Sequence, residues 1–309
     1  MDMRVVGGRP DGCLSAADRQ RLQEIGPRWN DDIVAHRKIV LDIYGPLAGR
    51  ADNSGIKVIR DLAYGSDARQ RLDVFVPKDA TNAPVLMFVH GGAFTRGAKS
   101  VDGEIYDNVL YWFARQGFVG VNVEYRLAPQ ARFPAGAEDV ADATRWVVRS
   151  IAAYGGDPQR LVLMGHSAGG SHVATYLLDP NIGLDPHPSV RAAVLISARL
   201  RLECRSDNPN ARNVAEYCGH ESGVLDHRSA VTHAHRCRWP VFIGIAEFEN
   251  RHLDEYGLEF AHAVANACGR APRIVQMPGH NHTSMVAHFN TGEEALGREI
   301  LDFIRPALG

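Results

Sequence analysis

The chain has 309 residues, 45% of them hydrophobic and 23% charged, with a formal net charge of −2. That length accommodates one large α/β domain or two small ones and buries most of the apolar surface. Basic residues are dispersed among acids, as in DARQRLD (67–73), whereas nucleic acid or an anionic membrane surface would reward clustered Lys and Arg. No apolar stretch approaches the ~20 residues of a membrane span, and the N-terminus lacks the uninterrupted apolar core of a secretory signal. Cys13, Cys204, Cys218, Cys237 and Cys268 form no C-x-x-C pair, so reduced thiols in a cytoplasmic protein are expected.

In chain order, residues 1–55 come first and read as helical, through LSAADRQRLQEIG and NDDIVAHRKIVLDIYG. From about residue 58, short β-type runs alternate with helix-period stretches. The runs are VIRDLAY, RLDVFVP, VLMFVH, FVGVNVEY, RLVLMG, RAAVLIS, VFIGIA and RIVQMP. The middle ones are apolar on both faces, as parallel strands covered by helices on both sides must be. The first two alternate with polar residues, which suits an antiparallel edge. Between the runs, Ile105, Val109, Trp112 and Phe113 share one helical face, as do Val140, Thr144, Val147 and Ile151. Leu253, Tyr256, Phe260 and Val264 make a third stripe, and Leu296, Ile300, Phe303 and Ile304 a fourth. The pattern predicts a single mostly parallel α/β domain over 56–309. The polar segment 199–239, rich in Asn, Arg, His and Cys, falls between two strands. With residues 1–55 it is read as a helical cap over the C-terminal edge of the sheet, where open α/β folds bind ligands. A peripheral insertion is the alternative.

One pentapeptide carries chemistry. Gly165-His166-Ser167-Ala168-Gly169 follows a strand and opens a helix, the context in which G-x-S-x-G forms a sharp turn that exposes its serine. A serine hydroxyl needs a base, and the base needs an orienting acid. In this arrangement the acid and then the histidine follow the serine in the chain. Glu249, beyond the strand in PVFIGIAEFEN, is the favoured acid. Glu247 sits nearer the strand end, and Asp254 is assigned to the next helix. His282 is favoured over His280 in RIVQMPGHNH, with Gly279 as the bend that gives it reach. His166 adjoins Ser167 and its side chain diverges, which argues against it as the base, and His252 and His262 are read as helical. The strand ending His90-Gly91-Gly92 supplies an oxyanion site, with the N–H groups of Gly92, Ala93 and Ala168 as donors. Each such donor is worth ~3–4 kcal/mol of transition-state stabilisation.

The combination HGGAF, YRLAPQARFPAGAEDV, GHSAGG and GHNH resembles the α/β-hydrolase superfamily, and within it the hormone-sensitive-lipase-like carboxylesterases and kynurenine formamidases. The resemblance covers about residues 58–307. It implies Ser167, Glu249 and His282 as nucleophile, acid and base, a small-molecule ester as substrate, and no metal or organic cofactor. An amide or aryl formamide is the alternative substrate, and a ligand-binding homologue without turnover is a different class of protein. Ala246 and Glu249 stand where the family's Gly-x-x-Asp element has Gly and Asp, and Ala93 replaces a third glycine. A homodimer is compatible with the family. Tyr125, Arg126 and Pro129 read as anchors of a strand connection, and Phe94 as a pocket residue. A zinc reading of His233, His235 and Cys237 with Cys204, Cys218 and His220 has no regular ligand spacing behind it. No G-x-G-x-x-G follows a strand, so a nicotinamide cofactor is not expected.

Overall fold

The computed structural model describes residues 14–309 and the backbone of Arg4–Val5; Cys13 lies outside the described residues. Its strands are β1 (Arg4–Val5), β2 (Ile56–Ala63), β3 (Arg71–Pro77), β4 (Ala83–Val89), β5 (Val119–Val123), β6 (Gly156–His166), β7 (Val190–Ile196), β8 (Val241–Phe248) and β9 (Arg273–Asn281). They form a nine-stranded sheet in the order β1-β9-β8-β7-β6-β4-β5-β3-β2. Pairing is parallel from β5 to β1, with β3 and β2 antiparallel at the other edge.

Helices α1 (Ala16–Ile25) and α2 (Ile33–Gly49) precede β2. Then come α3 (Asp107–Arg115), α4 (Ala135–Ser150), α5 (Ala168–Leu178), α6 (Ala211–Cys218), α7 (Ser222–Arg228), α8 (Leu253–Cys268), α9 (Ser284–Ala287) and α10 (Ala295–Leu308). Successive strand residues point to opposite faces, so the doubly apolar central strands build two cores. Val85, Met87, Val89, Leu161, Leu163, Ile243 and Ile245 face one layer, covered by α4, α5 and α8. Leu86, Phe88, Val162, Met164 and Val194 face the other, covered by α1, α2, α3 and α10. The helical stripes expected from periodicity are the buried faces, although Ile105 precedes α3 and Phe303 is only partly buried.

Some boundaries differ from the sequence reading. β6 starts at Gly156, ahead of the apolar run, because Gly156 already pairs with Ala83. Gly279 turns left-handed at φ 75° within β9 itself, in the register shift between the Ala246–Met277 and Phe248–Asn281 pairs, and the strand continues to Asn281. β1 adds a parallel edge pairing from ahead of residue 56, too short for periodicity to register. His252 is not within a helix but precedes α8 at φ 71°, paired with Asp207 and Glu255.

The strand order reverses at β4, which pairs with β5 on one side and β6 on the other. The C-terminal ends of β4 and β6 therefore lie at the topological switch point, the usual ligand position in such sheets. Residues 14–55 and 199–239 both reach that edge. Trp29 Nε1 donates to Asn250 Oδ1 at 2.8 Å and Asn30 Nδ2 to the Glu249 carbonyl at 2.9 Å. From the insertion, Asn213 Nδ2 donates to Thr95 Oγ1 at 2.6 Å.

Several histidines are buried as neutral rings. Burial pushes His90 and His172 down to about 3 and His288 to about 4, and holds His166 and His280 well below the ordinary 6.5. These rings bind a proton on unfolding but not in the fold. Their stabilising contribution is complete above about pH 6.5 and is lost as pH falls toward the folded-state values, by up to about 1.4 kcal/mol per ring per pH unit. The urea midpoint is expected to fall continuously from pH 6.5 to 4, with a shallower slope in His172→Phe. A midpoint level across that range would exclude the linkage.

Candidate active site

Ser167 stands between β6 and α5 at φ 54° and ψ −119°, a strained conformation for a non-glycine residue. The turn is tight enough to require its glycines. A Cβ on Gly165 would come 2.6 Å from the Gly169 carbonyl, and one on Gly169 2.1 Å from the Val89 oxygen. The Ser167 backbone is tied down, its N–H donating to Ile196 O at 3.0 Å and its carbonyl accepting from Arg199 N at 3.2 Å.

Glu249 and His282 are brought together from the loops after β8 and β9. His282 Nδ1 donates to Glu249 Oε2 at 2.8 Å, and both residues are buried. The other carboxylate oxygen accepts from Ala246 N at 2.9 Å and from the Ser197 hydroxyl. His282 N donates to Phe248 O at 3.1 Å, locking the histidine loop to the acid loop. The competing residues lie elsewhere. Glu247 is exposed and accepts from Gly279 N at 2.6 Å, and Asp254 belongs to the first turn of α8. His280 remains in β9 and faces inward, 3.1 Å from Ser284 Oγ and 3.6 Å from Glu293.

His166 has a role that the sequence reading missed. Its Nε2–H donates to the His282 carbonyl at 3.0 Å, and the two rings lie 4.8 Å apart. That bond fixes the tautomer. Burial first, and the neighbouring His282 second, keep this imidazole neutral. The contact ties the ring to the His282 backbone.

After β4 the chain turns left-handed, with φ 146° at Gly92, 50° at Ala93 and 70° at Phe94. Among the described residues, neither the Gly92 nor the Ala93 N–H meets an acceptor. Ala168, the first residue of α5, likewise has no acceptor within its helix. The strained loop is clamped from two sides. Tyr125 stacks on His90 at 4.2 Å and donates its hydroxyl to the His90 carbonyl at 3.0 Å, so YRLAP braces this loop as well as its own connection. From the insertion, Tyr217 stacks almost parallel on Phe94 at 4.7 Å, while its hydroxyl accepts from Gly136 N at 3.1 Å. Phe94 is thus buried in an aromatic cluster with Tyr217 and His172. No local pattern in the sequence flagged Ser197 or Tyr217, because each acts across a long chain separation.

Among the described residues, no three His, Cys, Asp or Glu side chains form a group that could hold a metal ion. His233 bonds the His227 carbonyl at 2.8 Å, and Cys204 and Cys237 donate to backbone carbonyls.

The BD-FAE family model matches residues 72–179, which include the Gly92 loop and the Ser167 turn. The esterase structure from the archaeon Pyrobaculum calidifontis superposes with a TM-score of 0.71 at 24% identity, over 96% of this chain and 99% of that one. The chain has the α/β-hydrolase fold. Curated proteins similar to this chain include Esterase LipC of Mycobacterium tuberculosis, 37% identical over half of this chain and 40% of that protein. The ethyl acetate hydrolase of Pseudomonas putida is 35% identical over 52% of this chain and 50% of its own. The match therefore spans half the length or less of these relatives.

Proposed function

We propose that this α/β-hydrolase cleaves carboxylic esters through an acyl-enzyme formed on Ser167. The observation that carries the reading is the 2.8 Å Glu249–His282 pair, held by His166 beside a serine on a strained strand-to-helix turn. His282 uses Nδ1 for Glu249, leaving Nε2 to take the Ser167 proton as Oγ attacks the carbonyl carbon. The negative oxygen of the tetrahedral intermediate accepts from the free N–H groups of Gly92, Ala93 and Ala168. The intermediate collapses, His282 protonates the departing alcohol, and water activated by the same imidazole releases the acid. Glu249 orients the ring and stabilises its cationic form, while Ser197 and Ala246 N hold the acid in place.

Residues 14–55 and 199–239 act as the cap in this reading, because both are hydrogen-bonded to the loops that bear the site. Phe94 shares the apolar cluster that includes Ala168 and in this reading shapes the pocket from behind. The free thiols of Cys204, Cys218, Cys237 and Cys268 suit a reducing cytoplasm, and no described helix is long and apolar enough to cross a membrane. The names of the relatives favour esters.

The test is turnover of p-nitrophenyl acetate, butyrate and octanoate beside an anilide and an aryl formamide, with fluorophosphonate labelling mapped by mass spectrometry. Ester turnover with label on Ser167 is expected. Preference for the formamide or anilide would move the assignment to amide hydrolysis at the same residues. Neither label nor turnover would leave a binding protein.

A further inference from the structure

Arg199 follows β7 two residues after Ser197, and its N–H donates to the Ser167 carbonyl at 3.2 Å. The residue is only 3% exposed. Its guanidinium touches neutral groups only: Nη2 lies 3.4 Å from Asn208 Oδ1, and Tyr256 offers both its hydroxyl and its ring, whose centre is 5.7 Å from Cζ. Nη1 is buried with no hydrogen-bond partner, and among the described residues no carboxylate lies within 4.0 Å of the group. Glu203 is the acid nearest in effect, but its oxygens are engaged by Tyr256 OH at 2.5 Å and Arg205 Nε at 3.4 Å.

A buried cation ordinarily has a counter-charge, since desolvation is costly without one. Less buried cations of this fold follow that rule. Arg60 holds Asp73 and Asp107, Lys99 holds Asp61 and Asp73, and Arg126 holds Asp139. Arg199 is the departure, and it stands beside the nucleophile. Its charge also acts on Cys204 and Cys218, which belong to the apolar cluster that continues through Leu202 and Val214 to Phe94 and Ala168.

We propose that Arg199 recognises a carboxylate carried by the substrate, so that the site selects esters bearing a second, ionised acid group. This rests on the hydrolase reading above and names its substrate class. A guanidinium can meet a carboxylate through two parallel N–H···O bonds, and the shielding at Arg199 strengthens such a pair. The acid group supplies the missing counter-charge while the apolar cluster receives the carbon chain.

The experiment compares matched esters. Monomethyl succinate, glutarate and adipate carry the charge on the acyl side, and 3- and 4-acetoxybenzoate on the alcohol side, each set against its neutral methyl ester. In the wild type, one set is expected to exceed its neutral partners at least tenfold in kcat/KM. Arg199→Met should lower that ratio tenfold or more, mainly through KM, and Arg199→Lys should keep part of it. Arg205→Met, which removes an exposed cation nearby, should leave the ratio unchanged. A wild-type ratio at or below one in both sets overturns the proposal, as does an Arg199→Met enzyme that keeps the wild-type ratio. If Arg199→Met does not fold, the wild-type ratio and competitive inhibition by glutarate decide. Neutral esters cleaved without anionic preference sink the Arg199 proposal alone. Absence of both turnover and Ser167 labelling sinks the hydrolase reading, and calorimetric titration with glutarate then tests Arg199 directly, no binding overturning it.

Discussion

Ser167→Ala is expected to lower ester kcat by about 10⁶-fold, the scale set by removing the nucleophile from other serine hydrolases. The oxygen that attacks is gone, so the remaining donors can only polarise a bound carbonyl for attack by water. Residual turnover of roughly 10³–10⁴ over the uncatalysed rate should remain, because the Gly92, Ala93 and Ala168 N–H groups do not depend on the hydroxyl. Fluorophosphonate labelling should vanish with it. The fold should not suffer, since an alanine occupies the same backbone. Ser167→Gly separates chemistry from strain. At φ 54° a glycine relieves a conformation that costs a side-chain-bearing residue about 1–3 kcal/mol, so this variant should be inactive yet unfold at higher urea than Ser167→Ala. Activity retained within tenfold in either variant would remove Ser167 from the mechanism.

Glu249→Gln is expected to reduce kcat by about 10⁴-fold, with KM nearly unchanged, because an amide at this position favours the wrong imidazole tautomer and no longer stabilises the charged ring. Glu247→Gln and Asp254→Asn should each stay within about threefold of wild type. The contrast follows from geometry. Glu249 is 6% exposed and bonded to His282 Nδ1 at 2.8 Å, whereas Glu247 is exposed and bonded to a backbone N–H. Loss concentrated in Glu247→Gln would transfer the acid role to that residue. Loss of KM alone in Glu249→Gln would make its contact with His282 structural. Ser197→Ala offers a graded version of the same test, since it removes one support of Glu249 and leaves the acid in place.

The likeness to known esterases bears on these tests unevenly. The matched family model ends at residue 179, before Glu249, His282 and Arg199. The serine turn and the Gly92 loop therefore rest on sequence similarity as well as geometry. Glu249, His282 and Arg199 rest on the fold and their own contacts, which makes their variants the more informative ones.

Much of this protein is local in origin. The alternation of doubly apolar runs with amphipathic stretches determines the layered sheet, because period 2 and period 3.6 each bury one kind of face. The glycines around Ser167 determine the turn, since a Cβ at Gly165 or Gly169 has nowhere to go. Those features were legible because the interacting residues are near neighbours in the chain. The choice among Glu247, Glu249 and Asp254 was different: a shift in register at the end of β8 turns Glu247 outward and lets Glu249 meet a histidine 33 positions away. Gly279 does turn left-handed, at φ 75°, but as an irregularity within β9, because pairing with β8 resumes at Asn281. The support of Phe94 by Tyr217, the hold of His166 on His282 and the burial of Arg199 without a carboxylate in contact arise only once distant segments are packed. Periodicity records which face of an element is buried; which groups meet there, and which charge is buried without a contacting counter-charge, is decided by tertiary packing.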